Sequence, residues 1–531
     1  MNNVDQSSFL ALDVRPLIAR GEDPLDKILE TLDRLTPDGS LWLTTPFRPD
    51  PLIRLLEARG YQPQATELGP DHWQTEIRSS TAAKTADPRI PDPSMRGLSL
   101  DQAPPLEIPA GFFLTAPFAV IGAGSLMLWT GADAFQSNWL PLMLGLTHLG
   151  TLGFLTMVMM GALYQMIPVI AGARVPFIRL AHIVHVLLCV AIPGLVLSLS
   201  EPAGGFTFGF FSLAALAALL FCFTAGYAVT MTQTRSETVS GMRLALFSLL
   251  VMMLLGLAMA RGFFDGGFPG ARGLWVQVHL GTALLGWVGG LITAVSWQVV
   301  PMFYLTPSIH PVKKKIILVL TLLGILLPLV VLMIEQTGPV RAFDLDPART
   351  AAIGTLPALL AIWIIHPCLI LFNLRNRRRK RVDASLYFWQ TGLCFAPATA
   401  IAAVIAHFAL DPRWGMLFGW LAIWGWAGMI VHGMLSRIFP FLIWFHRFAP
   451  HIGQIPVPAI RKMLPDHLIR LGLGFHIASV LLGVLAIVTR DIWVARITGL
   501  CLLATGINLL YWMMLLLRQR PAPATFDKQQ A

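Results

Sequence analysis

The chain has 531 residues, of which 55% are hydrophobic and only 13% are charged, and its formal net charge is +10. Soluble globular proteins average about 25% charged residues, so this composition excludes a soluble multidomain protein and predicts a chain that lies mostly in a lipid bilayer. The positive charge does not by itself indicate nucleic-acid binding, because membrane proteins collect Lys and Arg on one side of the bilayer.

Residues 1–80 are more polar than the rest and predict a small cytoplasmic α/β domain. Short apolar runs alternate with two amphipathic helices in the order β-α-β-α-β-β, which is typical of a two-layer fold. The first helix follows Asp23 as its N-cap, with Pro24 at its first position, and the second covers Pro51–Ala58. The predicted strands are Phe9–Val14, Ser40–Thr45, Tyr61–Glu67 and His72–Ile77. Residues 81–107 then form a polar linker.

This segment resembles the sulfur-carrier (TusA/SirA-like) domains of bacteria. The likeness lies in LDVRPLIARGEDPLDKILETLD and LEARGYQPQATELGPDHWQTEI. The resemblance implies a Cys-Pro at the start of the first helix, where the helix dipole activates the thiolate. This chain has Asp23 and Pro24 there, so persulfide chemistry is not expected. The resemblance then implies a docking or stability module with a cytoplasmic partner.

From Gly111 onward the sequence predicts a mainly α membrane domain, residues 108–518, followed by a cytoplasmic tail over 519–531. Apolar stretches of about 20 residues, each long enough to cross a bilayer, recur twelve times. They cover 111–130, 139–167, 181–199, 206–231, 243–260, 274–303, 316–334, 351–372, 385–407, 414–443, 468–488 and 492–517.

The basic residues predict the orientation of these spans. They gather in the connections from even to odd spans, as in Lys313–Lys315 and Arg375–Arg381, whereas the other connections carry few. The positive-inside rule therefore places both termini on the cytoplasmic side of a bacterial inner membrane. The run Arg375–Arg381 is interpreted as a topology anchor, so no nucleic-acid partner is expected.

An internal repeat relates spans 2, 6 and 10. Spans 2 and 6 share the letters HLGT, and all three spans contain a histidine, a polar residue and a proline in that order. The prolines recur after 133 and 139 residues, so one repeat covers four spans, although the histidine of span 10 lies closer to its proline than those of spans 2 and 6 do. The three sets are His148, Gln165 and Pro168; His279, Gln298 and Pro301; and His432, Arg437 and Pro440.

Three units of four helices resemble subunit I of the heme–copper oxidases and, more loosely, the NnrS membrane proteins of nitric-oxide metabolism. The resemblance implies a pseudo-threefold arrangement, a heme b ligand at His148 and a copper ligand at His279. The predicted span 7, Ile316–Ile334, contains no histidine for the paired copper ligands of that family. Copper is therefore not expected, and reduction of oxygen or nitric oxide is not predicted.

His148 and His279 remain the main candidate ligands for a heme or metal. A buried histidine in a membrane is costly and tends to be functional, although each can also simply hydrogen-bond a neighbouring helix. Nearby glycines, Gly150, Gly153, Gly281 and Gly286, are expected to leave room for a flat macrocycle. His407 is a further candidate at the same depth, and His432 is expected to pair with His476 at a second site.

Four polar residues are expected to cluster near the other ends of the repeated spans: Tyr164, Gln165, Gln298 and Arg437. Stapling of helices is favoured for them over a proton path or contacts to heme propionates. Three functions stay open: a heme protein with a redox or nitric-oxide-linked role and a membrane or soluble electron donor, a metal-free permease, and a signalling or assembly protein.

The topology prediction can be tested with reporter fusions. Fusions after residues 104 and 520 should both report a cytoplasmic location, because an even number of spans returns the chain to the side on which it began. A periplasmic signal at either position would contradict both the span count and the repeat.

Overall fold

The computed structural model describes residues 9–19, 24–35, 39–47, 49, 52–53, 56–57, 60–69, 72–79, 103–200, 205–265, 271–337, 346–378, 383–409, 411–451, 455 and 457–521. The chain divides into an N-terminal α/β unit and a helical unit that begins at Gln102.

The α/β unit contains one four-stranded sheet, as the sequence predicts. Its described elements are β1 Phe9–Asp13, α1 Arg15–Ala19, α2 Leu25–Asp33, β2 Ser40–Thr45, β3 Tyr61–Gly69 and β4 His72–Ser79. The strand order is β1-β2-β4-β3, with β1 parallel to β2 and the other neighbours antiparallel. The parallel pair needs a helical crossover between its strands, and α2 lies in that connection.

Helix α2 covers the sheet with the apolar side that its sequence predicts. Ile28 and Leu32 are one turn apart and are buried together with Leu41, Leu43 and Ile77 of the sheet. The helix begins at Leu25 with Pro24 as its N-cap, one residue later than predicted, and Asp23 lies outside the described residues. Of the predicted second helix, the described residues 52–53 and 56–57 are helical.

The helical unit has twelve described helices that are long and apolar enough to cross a membrane, which confirms the predicted number. We call them spans 1 to 12 in chain order. They are Glu107–Phe135, Pro141–Ala171, Leu180–Leu199, Phe206–Met231, Glu237–Gly262, Arg272–Tyr304, Pro311–Gln336, Pro347–Arg375, Ala384–Phe408, Arg413–Arg447, Asp466–Thr489 and Ile492–Leu517.

We call the side on which the basic connections lie the basic end of the helical unit, and the other side the opposite end. Because successive spans run in alternate directions, every even-numbered span runs from the opposite end to the basic end. A short helix, Ile460–Met463, lies between spans 10 and 11 at the basic end.

Spans 2, 6 and 10 form the interior of the helical unit. The most apolar windows of spans 2 and 6 are 83% buried and that of span 10 is 61% buried, whereas the other windows are 33% to 44% buried. The spans that carry the repeated histidine and proline are therefore the ones with the least lipid contact.

Each interior span also contains a π-helical segment, which the sequence analysis did not predict. These segments are Leu149–Thr156, Gly281–Gly289 and Leu421–Gly428; two more cover Ile167–Ala171 in span 2 and Ala361–Ile365 in span 8. π-Helical turns are rare and occur frequently at functional sites, so their recurrence in the interior spans marks the region where a site is expected.

Spans 1 and 12 pack backbone against backbone through glycines. A Cβ atom at Gly124 would lie 2.6 Å from the carbonyl oxygen of Gly499, and one at Gly499 would lie 2.7 Å from the carbonyl oxygen of Gly124. Small residues permit such close approach between membrane helices, where dispersion contacts drive association. This contact closes the helical unit between its first and last spans.

Gly499→Val should therefore destabilise the helical unit by about 1–3 kcal/mol, the usual cost of overpacking. Thermal loss of the monodisperse size-exclusion peak in detergent measures the effect. Gly474→Val is the matched control in span 11, because nothing lies within 4 Å of a Cβ atom there. Equal losses for both variants would show that the glycine contact does not hold spans 1 and 12 together.

Candidate functional site

His148 is held at the start of the π-helical segment of span 2. Its Nδ1 atom lies 2.7 Å from the carbonyl oxygen of Leu144, one turn earlier. A carbonyl oxygen only accepts hydrogen bonds, so Nδ1 carries the proton and donates it. In the neutral imidazole this leaves Nε2 with a free lone pair, the arrangement found in histidines that bind metals.

His279 repeats this arrangement in span 6 with a partner from another span. Its Nδ1 atom lies 3.1 Å from the carbonyl oxygen of Met252 in span 5, so Nδ1–H donates and Nε2 again keeps its lone pair. A side chain at Gly256 would place its Cβ 3.1 Å from the His279 ring, so the absence of a side chain there makes room for the imidazole.

Both imidazoles line one cavity of about 710 Å³ in the half of the helical unit nearer the opposite end. This volume lies within the roughly 300–1,000 Å³ that is usual for cofactor and small-molecule sites. His148 and His279 are half-buried because their rings face this space. His407, at the end of span 9, lines the same cavity, as its position in the sequence led us to expect.

The cavity wall is mainly apolar, and its charge is positive. Leucine, methionine and aromatic side chains dominate it, and Arg272 is the charged residue of the described lining, which includes no Asp or Glu. Arg272 begins span 6, and its guanidinium carbon lies 4.3 Å from the centre of the Trp139 ring. An apolar ligand with an anionic end matches this wall.

Two of the four glycines expected to make room for a cofactor, Gly150 and Gly281, line the cavity. Gly153 and Gly286 instead allow helices to touch, because a Cβ atom there would lie 2.5 Å from Ala119 and from Ser248 respectively. The prediction was wrong for these two, since spacing along a helix does not reveal which glycine faces a neighbouring helix.

His432 lies outside the cavity lining and pairs with His476, as expected from their matched depth. The two Nδ1 atoms are 3.0 Å apart, and both side chains are almost fully buried. His476 Nε2 donates to the carbonyl oxygen of Trp424 at 3.0 Å, so its Nδ1 accepts from His432 Nδ1–H. The ring of Trp424 lines the cavity and stacks on His476, with centroids 3.9 Å apart.

Arg437 staples the basic end of span 10 to its neighbours. Its guanidinium forms an ion pair with Asp383, and its Nε donates to Ser385 Oγ at 2.8 Å. Ser385 Oγ also accepts from the hydroxyl of Tyr304 at 2.8 Å and donates to Asp383. A charge deep in a span is stabilised by such partners, which favours the stapling interpretation.

The expected cluster of Tyr164, Gln165, Gln298 and Arg437 is not formed among the described residues. The hydroxyl of Tyr164 lies 3.4 Å from Thr224 Oγ1 of span 4, whereas Arg437 bonds Asp383 and Ser385. Gln165 is buried with its Oε1 unpartnered, whereas Gln298 is exposed on the surface of span 6. The position of a residue along its span indicates its depth in the membrane. It does not indicate the direction in which the side chain faces, and these side chains face different neighbours.

His366, a fully buried histidine of span 8, is not among the site residues predicted from the sequence. Its Nε2 lies 2.9 Å from Ser296 Oγ of span 6. The one available signal was a histidine within an apolar stretch, IIHPC, outside the repeated spans. Arg272 was also missed, because an arginine at a span boundary is unremarkable in the sequence.

The described residues contain no group of three or more His, Cys, Asp or Glu side chains that could hold a metal ion by themselves. A metal ion in the cavity would therefore need further ligands besides the described His, Cys, Asp and Glu side chains.

Comparison with known proteins covers the α/β unit only. A family profile described as "Uncharacterized conserved protein (DUF2249)" matches residues 11–79. No curated protein matches the chain. The chemistry of the helical unit therefore has to be inferred from its own residues.

The ion pair of Arg437 generates a prediction. Asp383→Asn should cost an appreciable part of the roughly 3–5 kcal/mol lost when a buried pair is broken, because the arginine charge stays behind unpaired. The double variant Asp383→Asn/Arg437→Gln should be more stable than the sum of the single losses implies. Thermal unfolding of the four proteins in detergent gives the coupling, and additive losses would refute it.

Proposed function

We propose that the helical unit binds a b-type heme in the cavity, where His148 and His279 would hold its iron. The observation that carries this proposal is that both imidazoles line one cavity with Nδ1 bound to a carbonyl oxygen and Nε2 left as an acceptor. The scaffold is then related to subunit I of the heme–copper oxidases and to the NnrS proteins, and the role is a redox or nitric-oxide-linked one.

The residues of the cavity fit such a group. A porphyrin supplies four ligands to its iron, so the protein needs to offer only two, which agrees with the lack of a three-ligand site among the described residues. Two neutral imidazoles suit iron, and the apolar wall suits the macrocycle. Arg272 gives the carboxylates of the group a cationic partner.

In this function the protein would hold the heme, orient the two histidines and surround the heme with apolar side chains. The carbonyl oxygens of Leu144 and Met252 fix the tautomer and the ring direction of the two ligands, and such hydrogen bonds also raise ligand basicity. The mainly apolar wall makes the surroundings of the site less polar than water. A bound heme would supply one-electron transfer, for which a membrane or soluble electron donor is needed.

Copper is not part of this proposal. Span 7, Pro311–Gln336, carries no histidine, and His279 alone offers one nitrogen where three would be required. We therefore do not propose reduction of oxygen or nitric oxide by a binuclear centre.

The proposal predicts a b-type band in the reduced-minus-oxidised spectrum of the purified protein. His148→Ala or His279→Ala should convert a low-spin spectrum to a high-spin one or abolish heme retention, because each removes one axial ligand. The spectrum and the heme-to-protein ratio are the measurements.

Three variants serve as controls for the pair. His407→Ala and His432→Ala should alter the spectrum less, and His182→Ala, an exposed residue of span 3, should leave it unchanged. A low-spin spectrum that is unchanged in His279→Ala would refute His148 and His279 as the pair of ligands, but it would still support heme binding. A protein that stays colourless after expression with ample heme would refute both and favour a permease, or a signalling or assembly protein, on the same scaffold.

A further inference from the structure

Five buried polar atoms on spans 6, 8 and 10 have no hydrogen-bond partner in the described part of the chain. They are Thr293 Oγ1, Trp297 Nε1, Trp363 Nε1, His366 Nδ1 and Trp426 Nε1. Each of these side chains is at most 2% exposed. A buried polar atom without a partner destabilises the fold, so five of them in adjacent spans require an explanation.

The hydrogen bonds around His366 determine which of its nitrogens is the acceptor. The hydroxyl of Ser296 donates to the carbonyl oxygen of Thr293 at 2.7 Å, so its oxygen must accept from His366 Nε2–H at 2.9 Å. In the neutral imidazole Nδ1 then carries a lone pair. His366 therefore presents a buried acceptor, fixed in direction by spans 6 and 8.

Hydrogen-bond donors lie on the same three spans as this acceptor. Trp363 precedes His366 by three residues in span 8, and its ring centroid is 5.7 Å from that of Trp426 in span 10. A Cβ atom at Gly289 in span 6 would lie 3.3 Å from the Trp426 ring, so the three spans meet here. The π-helical segment Ala361–Ile365 ends directly before His366.

These atoms extend from the cavity toward the basic end. Trp363 lines the cavity. Thr293 and Trp297 are one turn apart on span 6 and lie progressively further from it. Trp297 is near the basic end, where the amino group of Lys314 lies 5.9 Å from its ring.

We propose that spans 6, 8 and 10 bind ordered water molecules at His366, between the cavity and the basic end. Indole N–H groups only donate, His366 Nδ1 only accepts, and the threonine hydroxyl does both, so the ligand must itself donate and accept through a small oxygen atom. Water meets this requirement and is the usual partner of buried polar atoms that protein groups leave unbonded. The site does not depend on a ligand in the cavity. The site lies between the cavity and the basic end, with His366 Nδ1 as its hydrogen-bond acceptor.

Radiolytic footprinting of the purified full-length protein tests this site. Hydroxyl radicals formed from bound water oxidise adjacent side chains that bulk solvent does not reach, and mass spectrometry locates the products. Trp297, Trp363 and Trp426 should be oxidised several-fold faster than Trp287 and Trp389. These two controls are equally buried, but their N–H groups donate to Thr156 Oγ1 and Met434 Sδ, each at 3.0 Å. Trp287 also lines the cavity, so it reports any oxidation that comes from the cavity alone, whereas Trp389 does not line it.

Equal oxidation rates for the two sets of tryptophans would overturn the proposal. Fast oxidation of Trp363 alone would also overturn it, because that residue lines the cavity. His366→Phe should slow the oxidation of Trp363 and Trp426 several-fold, whereas His366→Gln, which keeps an acceptor, should slow it less. The comparison within the unsubstituted protein decides the matter even if a variant does not fold.

Discussion

The structure of the helical unit depends on one constraint: polar groups inside the hydrocarbon of a bilayer have no bulk water to bond and must find partners within the protein. Backbone groups meet this requirement by forming helices. The buried side chains meet it across spans, as when His279 donates to the Met252 carbonyl and Arg437 pairs with Asp383. Where this pairing is incomplete, at His148, His279 and His366, the free nitrogens mark the places at which a ligand is expected.

Interruptions of the regular helix coincide with these places. The π-helical segments of spans 2 and 6 begin at or just after His148 and His279, and that of span 8 ends just before His366. A wider turn changes the angle between the side chains before it and those after it, so each of these three histidines lies next to a shift in helix register. The candidate cofactor site and the hydration site therefore share one structural device.

The two units of the chain carry different kinds of information about function. The α/β unit matches the profile of an uncharacterized family over residues 11–79, and this match assigns it no chemistry. The helical unit has no such match, yet it holds the cavity, the paired imidazoles and the buried polar atoms. Functional inference for this protein consequently rests on the geometry of the helical unit.

The sequence by itself determined the features that depend on local composition. Twelve spans follow from apolar length, the strands of the α/β unit from alternation, and the depth of His148, His279, His432 and His476 from position along a span. Only the tertiary structure decided which side chains meet: that Asp383 neutralises Arg437, that Gln298 faces outward, and that His366 bonds Ser296. The physical reason is that these spans are apolar on all sides, so their sequences do not encode how each helix is rotated, and close packing between neighbours sets that rotation.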